Sequence, residues 1–517
     1  MLKTLPKEFK SVIERNSGLD VYLSLLAKGR SFTPRSWLYE NREPQKILED
    51  WLNHLSVLEH GDTFEKNVYQ FDTSQLEKWG PQGGISPISE ILDSIVMPTF
   101  QGHSSPKAFS SVQWNEARIE ATETMRHGNS LLRPASYSHV IDDMRARDTL
   151  NSNSGWPEFT RRNSKRVTQI SARAAQDGEW MEYPAIALFR NYNKKTRLVW
   201  MFPMSTNLVE GSFTQPCQSR IVVQKQPFYA PWLGFDAVRE MITRTYAQGK
   251  YITASDFSKT DEHFTLDTTL SIATVVTEQF QRNARDLIVL SLKRMHEIPL
   301  IISKSRMIVG KHGVSSGSNW TNFIETVFDD VLSRYVRIQT GGAWRGLYGI
   351  GDDMTWVSDK FDDAFPQYLE HTGKDVGQVI NASKTTNEPD SVKTLQRLFQ
   401  RGYSRSDGKL RGVYSTIRAL KNSIFPERFH KPQNWSSDMF CARQYMILEN
   451  CVDHPLFEDF VKFVVQGQKD LIPFAKKSKA ALDKITRETK LLPGFNPTYN
   501  QERRDTSLGN FEFLRAR

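Results

Sequence analysis

Cysteine is scarce in this sequence, with Cys217, Cys441 and Cys451 the only three among 517 residues. None belongs to a Cys-x-x-Cys pair and their number is odd, which argues against a disulfide framework and a structural zinc site. We therefore expect a protein of a reducing, intracellular compartment. No run of about 18 apolar residues occurs, so no membrane-spanning helix is predicted. The first residues also lack the apolar stretch of a secretory signal peptide.

Internal repeats and low-complexity tracts are absent too, which argues against solenoids and propellers. Large apolar side chains are plentiful, with 30 Phe and 12 Trp in a hydrophobic share of 38%. They exclude a mainly disordered chain. The length of 517 residues predicts roughly two to four domains or one large composite fold. The net charge of +9 permits a nucleic-acid partner without establishing one.

Hydrophobic periodicity predicts a helix face from Leu48, Trp51, Leu52 and Leu55, within a helical and peripheral first eighty residues. The glycine-rich stretch 80–84 predicts a boundary. The other predicted elements are a strand from 251, helices over 265–300 and 320–338, a hairpin over 347–357, a mainly helical region from about 406, and an extended, loosely held last 25 residues.

Basic residues crowd into the segment between Arg161 and Arg197, and aromatic residues from Trp156 to Trp200 alternate with them. A solvated charged face is one interpretation of this pattern. The interleaved aromatics favour the other interpretation, a surface for RNA or nucleotides.

Two adjacent carboxylates, Asp352 and Asp353, follow Gly351 in the turn of the predicted hairpin. Adjacent carboxylates repel each other, and a divalent cation would hold them together. A ligand set of oxygen atoms alone suits Mg²⁺ or Mn²⁺. For the tripeptide taken alone, a solvated turn remains the alternative, since so short a motif arises easily by chance.

Two further patterns precede this turn. Asp256 and Asp261 follow a predicted strand, and Asp256 is a candidate to join Asp352 in a two-metal site for phosphoryl transfer. The small and polar residues of 313–322 would let backbone approach a ligand closely and would offer hydroxyls and amides to a sugar. An ordinary loop with a helix cap is the alternative for this segment.

The three patterns occur in the order Asp-x4-Asp, Ser-Gly-x3-Thr and Gly-Asp-Asp, and this order resembles motifs A, B and C of viral RNA-dependent RNA polymerases. The resemblance spans about half the chain, from 152 to 405. Its less specific parts are Ser154-Gly155-Trp156-Pro157 (motif G), Lys194–Trp200 (motif F), Asn381–Lys384 (motif D) and Leu398–Tyr403 (motif E).

The motif sequences Asp-Phe-Ser-Lys-x-Asp and Ser-Gly-Ser-x-x-Thr-Asn resemble those of the polymerases of picobirnaviruses and, next, of partitiviruses. Both are small segmented double-stranded RNA viruses. Four residues after the motif B threonine, Thr321, the enzymes of positive-strand viruses usually have Asn, whereas this chain has Glu325. This departure leaves open how Asp261 and motif B share recognition of the ribose 2′-OH.

The resemblance implies an RNA-directed RNA polymerase that transfers nucleotides from NTPs to an RNA 3′-OH by a two-metal mechanism, replicating and transcribing a double-stranded RNA viral genome. It implies Mg²⁺, with Mn²⁺ as a substitute, held by Asp256, Asp352 and Asp353. Lys384 is the candidate general acid for the leaving pyrophosphate, and a solvated surface lysine is its alternative.

The remaining site residues implied by the resemblance fall into two groups. The group that binds NTP and ribose is Asp261, Ser316, Gly317, Thr321, Asn322, Lys194, Lys195 and Arg197. The group at the template and primer is Ser154, Gly155, Trp156, Pro157, Arg401 and Tyr403, the last two having packing at the edge of a sheet as their alternative role.

The implied fold is α+β, a right-hand polymerase closed into a ring through an N-terminal extension. The palm would be a small antiparallel sheet with helices on one side. The expected parts are 1–80 as the extension bridging fingers and thumb, 81–244 and 265–312 as fingers, 245–264 and 313–405 as palm, and 406–517 as a helical thumb with a C-terminal tail.

The implied partners are RNA template and product, NTPs and a viral capsid protein, with no membrane, in the virion interior and the host cytoplasm. The tail carries Tyr499, Phe511 and Phe513 and is a candidate support for the first nucleotide. A tail wrapped on the surface is its alternative.

Three other functions compete with this interpretation. A reverse transcriptase shares the palm carboxylates but usually has Tyr-x-Asp-Asp, whereas Gly351 precedes the pair here. A non-catalytic RNA-binding or capsid-associated protein would bind RNA regardless of Mg²⁺. A metal-dependent glycosyltransferase would leave the Ser-Gly-x3-Thr segment unexplained.

Overall fold

The structure is a computed structural model that describes residues 1–31, 33, 35–126, 128, 130–147, 149–427, 436–489 and 507–512. Its strands are β1 (Leu2–Thr4), β2 (Ala185–Tyr192), β3 (Lys195–Met201), β4 (Tyr251–Asp256), β5 (Leu300–Ile301), β6 (Arg306–Ile308), β7 (Trp344–Ile350), β8 (Asp353–Ser358), β9 (Thr386–Asn387), β10 (Ser391–Thr394), β11 (Arg397–Gln400) and β12 (Val413–Tyr414).

Helices make up most of the remaining regular structure, as an α+β chain requires. They are α1 (Lys7–Arg15), α2 (Ser17–Lys28), α3 (Pro44–Leu55), α4 (Thr63–Thr73), α5 (Ile88–Ile91), α6 (Val112–Arg126), α7 (Tyr137–Ala146), α8 (Lys165–Asp177), α9 (Met204–Val223), α10 (Ala230–Leu233), α11 (Phe235–Ala247), α12 (Thr260–His263), α13 (Leu266–Thr277), α14 (Arg285–Glu297), α15 (Trp320–Gln339), α16 (Phe365–Asp375), α17 (Thr416–Ile424), α18 (Ser437–Leu448), α19 (Phe457–Val465), α20 (Leu471–Ala475) and α21 (Lys479–Thr489). Among the described residues, no helix is long and apolar enough to cross a membrane.

The central sheet has the order β7-β8-β4-β9 and is antiparallel throughout. Its β7–β8 hairpin, its strand β4 and the following helix α15 confirm the sequence predictions. The single helix expected over 265–300 is wrong, because α13 and α14 are separate. The chain breaks between them where Gln279 and Gln281 exchange backbone hydrogen bonds with Leu132 instead of continuing the helix.

Helices cover both faces of this sheet, so the expectation of helices on one side is wrong. Alternate side chains of β4 explain the difference, since Ile252 and Ala254 pack with Phe235 and Ile242 of α11. The opposite face, with Trp356 of β8, packs against α15 and α16. Because α11 spans the boundary expected between 244 and 245, a division of the chain there would cut a helix.

A second sheet has the order β1-β6-β5-β2-β3 and takes its strands from residues 2 to 308. Its edge strand β1 comes from the start of the chain and pairs antiparallel with β6, with Lys3 opposite Met307. Beneath it, Leu5 and Leu23 pack into one apolar cluster with Trp156 and Met307. The first residues are therefore built into this part of the molecule.

The C-terminal helices and the sheet β10-β11-β12 enclose a third region of the core. Helices α3 and α4 contribute to it, and Trp51 is fully buried with its Nε1–H donating to Thr416 Oγ1 at 2.8 Å. The first eighty residues are mainly helical as predicted. They are not peripheral, because they fill the cores of two separate regions.

The described part of the C-terminal tail is held firmly. Leu508 and Phe511 are buried in the same cluster as Leu482 and Ile485 of α21. The expectation of a loosely held tail is therefore wrong for residues 507–512. Tyr499 and Phe513 lie outside the described residues.

Candidate active site

The pairing of β4 with β8 brings the first acidic residues together. Asp256 lies directly opposite Asp353, and Asp353 in turn pairs with Ile350 across the β7–β8 hairpin. Asp352 occupies the two-residue turn behind Gly351, whose φ of 60° favours glycine. The backbone N–H of Gly351 donates to Thr326 Oγ1 at 2.9 Å, which fixes the turn to α15.

Glycines let α15 lie unusually close to this hairpin. A Cβ on Gly349 would stand 2.9 Å from Asp329 Oδ2, and one on Gly346 would stand 2.5 Å from Ser333 Oγ. The sequence analysis missed these two glycines. Their signal was present, since glycine is otherwise unfavourable inside a strand and often marks a close backbone approach.

Unbalanced negative charge concentrates at the turn. Enclosure by protein, and then the charges of Asp352 and Asp256, raise the pKa of Asp353 to about 7. Enclosure and Asp352 likewise raise the pKa of Asp261 to about 6, against the opposing effect of Arg197. Lys384 Nζ, 3.9 Å from Asp256 Oδ2, supplies only part of the missing positive charge.

The donor atoms here fit a hard divalent cation. Asp256, Asp352 and Asp353 offer carboxylate oxygens and no nitrogen or sulfur, which is the chemistry that Mg²⁺ and Mn²⁺ prefer. Their mutual repulsion is what such an ion would remove. Within the described residues, no three His, Cys, Asp or Glu side chains are already drawn together as a ligand set.

Two more carboxyl groups lie beneath the hairpin on α15. Burial, and then the charges of Asp261 and Asp352, raise the pKa of Glu325 well above its usual range. Burial and neighbouring Glu325 do the same to the pKa of Asp329, whose Oδ2 has no hydrogen-bond partner among the described atoms. The sequence analysis missed Asp329. Two acids four residues apart, Glu325 and Asp329, among the buried residues of one helix are nevertheless a recognisable signal.

The segment before α15 is pressed against its neighbours. A Cβ on Gly317 would stand 1.7 Å from the carbonyl oxygen of Trp200, so only glycine fits there. Ser316 Oγ accepts from Trp200 N–H at 3.3 Å. Thr321 Oγ1 donates to the Ser315 carbonyl at 2.5 Å and is thus turned inward. Asn322 is exposed beside Gly351 and is the better placed of the two to meet a sugar.

A buried carboxyl group that the sequence analysis missed anchors this segment. Glu210 of α9 is fully buried and accepts from Ser318 Oγ at 2.6 Å and from Asn319 N–H at 2.7 Å. Asn207 Nδ2 donates to it at 3.1 Å, and Arg162 Nη2 donates to Asn207 Oδ1 at 2.8 Å. The network joins the 153–162 loop to the start of α15.

The basic residues Lys194, Lys195 and Arg197 lie on the β2–β3 hairpin and are exposed. The hairpin turn is held by Gln82, whose Oε1 and backbone oxygen accept from the N–H groups of Asn193 and Lys194 at 2.9 and 3.0 Å. The hairpin therefore presents its cations from a fixed position.

Several expected RNA contacts are engaged in packing instead. Trp156 is buried against Phe9, and Ser154 and Pro157 belong to the same closed loop, where the peptide bond before the proline is cis. Trp180, Phe189 and Trp200 are also buried, so the idea that the interleaved aromatics stack on RNA is wrong for these side chains.

Arg401 and Tyr403 take the packing role that was their alternative. Arg401 donates to the carbonyls of Tyr246 and Lys250, both at 2.9 Å, and pairs with Asp390. Tyr403 stacks on Phe64 with ring centroids 5.3 Å apart. Both side chains thus secure the edge of the central sheet region.

Comparison with known proteins agrees with this geometry. Residues 192–412 match the family model described as viral RNA-dependent RNA polymerase. A potential RNA-dependent RNA polymerase of human picobirnavirus (strain Human/Thailand/Hy005102/-) is 27% identical over 478 residues, covering 88% of this chain and 86% of its own.

Solved structures share the fold over almost the whole length. The RNA-dependent RNA polymerase of a human picobirnavirus superposes with a TM-score of 0.81 at 21% identity, covering 99% of both chains. Its insertion-loop deletion mutant gives a TM-score of 0.79 at 23% identity, covering 94% of this chain and 97% of that one. Motif order, family match and whole-length similarity lead to one conclusion, that this chain is an RNA-directed RNA polymerase similar to those of picobirnaviruses.

Proposed function

We propose that this polymerase replicates and transcribes a double-stranded RNA viral genome by a two-metal mechanism centred on Asp256 and Asp352. The observation that carries the proposal is the β4–β8 register, which sets Asp256 opposite Asp353 and beside the turn that bears Asp352. Asp353 assists from the start of β8. Bound divalent cations, Mg²⁺ or Mn²⁺, would activate the RNA 3′-OH and offset the charge of the triphosphate.

The chain's own side chains would then bind and orient the substrates. Lys195 and Arg197, on the β2–β3 hairpin, bind the incoming triphosphate. The guanidinium group of Arg197 is suited to contacting two phosphate oxygens at once. Lys384, beside Asp256, gives a proton to the leaving pyrophosphate. Asp261 and Asn322 read the 2′-OH, the group by which a protein tells RNA from DNA.

The buried acids of α15 add to this scheme. Burial raises the pKa of the Glu325 and Asp329 carboxyl groups well above their usual range, which favours their neutral forms beneath the turn. In this proposal the carboxyl group of Glu325 takes the place of the usual amide, and Asp261 and Asn322 recognise the ribose.

The architecture we propose is a right hand. Its palm comprises 235–264 and 313–405, beginning at α11 because that helix packs on the central sheet. Its fingers comprise 81–234 and 265–312, and its thumb 406–517. Residues 1–80 close the ring, a proposal supported by β1 pairing with β6 at one end and Trp51 bonding to Thr416 at the other.

Because its relatives are viral, we propose that the polymerase acts in the virion interior and in the host cytoplasm. We propose the viral capsid protein as its partner. The substrates are template RNA and NTPs. We propose no membrane association.

The test is RNA synthesis on a single-stranded template with four rNTPs and Mg²⁺. The double variant Asp352→Ala, Asp353→Ala should make no product, whereas Asp363→Ala, which alters an exposed acid beyond the hairpin, should equal the unaltered protein. Equal product from the double variant would refute the site. Preference for dNTPs over rNTPs would indicate a reverse transcriptase, and Mg²⁺-indifferent RNA binding without synthesis a non-catalytic protein.

A further inference from the structure

A cavity of about 300 Å³ opens beside the catalytic carboxylates Asp256 and Asp353. Asp256, Asp353 and Lys384 line it. Its lining also includes the end of α4 and the residues after it, through Lys78, and Arg418 of α17. Both Lys78 and Arg418 lie outside the residues that match the family model.

Cations from three distant segments of the chain lie near Lys78 and Arg418. Arg418 Nη2 donates to the hydroxyl of Tyr192 on β2 at 3.1 Å, and Lys421 Nζ donates to Asn193 Oδ1 at 2.6 Å. Lys194 Nζ would stand 3.6 Å from a Cβ on Gly80, two residues beyond Lys78. The N-terminal segment, the β2–β3 hairpin and α17 thus contribute to one basic junction.

Among the described residues, the charges that act on Lys78 are those of Arg418, Glu77 and Lys195, so two of the three are positive. Lys78 Nζ donates to Gln75 Oε1 at 3.1 Å and has Glu77 at 3.8 Å. Burial and then the charge of Arg418 lower the pKa of Lys78, and burial with Lys194 lowers the pKa of Lys421 to about 8. Cations that repel one another beside an open, mostly polar cavity are suited to an anionic ligand with several oxygens.

Two phosphorylated substrates meet in the proposed reaction, and the hairpin cations account for one of them. The other carries the 3′-OH and must reach the carboxylates with its own phosphates nearby. We propose that Lys78 and Arg418 form a phosphate subsite for the nucleotide that supplies the attacking 3′-OH. This inference rests on the proposed function. The phosphates belong either to the triphosphate of a first nucleotide or to the last phosphodiester of a primer.

The experiment compares Lys78→Met with Lys78→Arg and with Lys66→Met, a change of an exposed lysine on α4. One arm measures equilibrium binding of a primed RNA template, without NTPs, over a range of salt concentrations. A second arm measures the KM for the first nucleotide in primer-independent synthesis. A third measures the KM for the incoming nucleotide during extension.

We expect Lys78→Met either to weaken the binding of primed template about tenfold or to raise the KM for the first nucleotide about tenfold. A tenfold change corresponds to the loss of one charged hydrogen bond. The slope of log affinity against log salt in the first arm should fall by about one if the phosphodiester is bound. A change in the first arm alone identifies the primer phosphate, and a change in the second alone identifies the triphosphate. Lys78→Arg and Lys66→Met should resemble the unaltered protein.

The proposal is overturned if the first two arms stay unchanged, if only the KM for the incoming nucleotide rises, or if Lys66→Met has the same effect. The binding arm needs no catalysis, so it tests the primer-phosphate alternative even for a protein that makes no RNA. If Lys78→Met lowers the thermal unfolding midpoint, Lys78→Gln replaces it, since glutamine preserves a hydrogen bond to Gln75.

Discussion

Asp72 accepts a hydrogen bond from His454 Nε2 at 3.0 Å, although the two residues are 382 positions apart. The His454 tautomer is fixed, because its Nδ1 accepts from Leu456 N–H at 3.1 Å. The same carboxylate accepts from Ser415 Oγ at 2.6 Å and from Thr416 N–H at 3.1 Å, at the start of α17. One side chain of α4 therefore caps a helix and satisfies a buried histidine of the C-terminal region.

Replacing Asp72 with alanine should lower the free energy of unfolding by about 3–5 kcal/mol, because several buried donors would lose the charged acceptor that they share. Chemical denaturation monitored by tryptophan fluorescence measures this. Asp363→Ala, at an exposed site, should change the same quantity by less than about 0.5 kcal/mol. An equal effect of the two substitutions would remove Asp72 from the account of stability.

Glu210 should make stability depend on pH. Burial raises its pKa from 4.5 to about 7, despite hydrogen bonds from Ser318 and Asn319. The folded chain thus binds this proton more tightly than the unfolded chain. The associated stability is complete below about pH 4.5 and is lost as the pH rises through about 7.

The variant Glu210→Gln cannot titrate and should lack this dependence. We expect the difference in unfolding free energy between the unaltered protein and Glu210→Gln to shrink by about 3 kcal/mol from pH 4.5 to pH 8. Taking the difference cancels the contributions of other titrating groups. A difference that stays constant with pH would show that Glu210 is charged throughout.

Gly317→Ala should disrupt the start of α15, since its Cβ would overlap the Trp200 carbonyl. We expect a loss of about 3 kcal/mol in unfolding free energy and a large loss of RNA synthesis. Gly102→Ala is the matched control, because a Cβ there meets nothing within 4 Å. If both variants behave alike in thermal unfolding and in synthesis, the close approach at Gly317 is not needed.

Substitutions of Asn322 and Thr321 should differ in their effect on the preference for rNTPs over dNTPs. Asn322→Ala should reduce the preference for rNTPs over dNTPs about tenfold, the effect of one hydrogen bond to the 2′-OH. Thr321→Val should leave the preference almost unchanged and lower stability, because the Thr321 hydroxyl serves the Ser315 carbonyl. Competition between rNTP and dNTP in single-nucleotide extension measures both. The reverse pattern would transfer ribose recognition to Thr321.

The sequence predicted the local parts of the site well. The alternation of β4, the glycine at the turn and the two neighbouring acids follow from short-range pattern, and so does the helix after Asn319. Polar residues in an ordered series also sufficed to suggest the chemistry, because Asp256, Asp352 and the loop at 316–322 each have a recognisable local form.

What the sequence could not predict depends on long-range packing. Trp156 and Arg401 look like RNA-binding residues in the sequence, yet each is engaged by partners that only the folded chain brings near, such as Phe9 and the Lys250 carbonyl. Glu210 and Asp72 were missed for the same reason. A buried acid is recognisable only when the donors around it are known.

The double attachment of the first eighty residues has a consequence for biosynthesis. Strand β1 leaves the ribosome about 300 residues before β6, and α4 waits still longer for α17. During that interval Trp51 and its apolar neighbours lack the C-terminal residues against which they pack. These side chains therefore stay exposed and can bind other chains or chaperones. This segment is made long before its partners and is among the last to be locked in place, so the rate at which the nascent polymerase matures depends on closing these long loops.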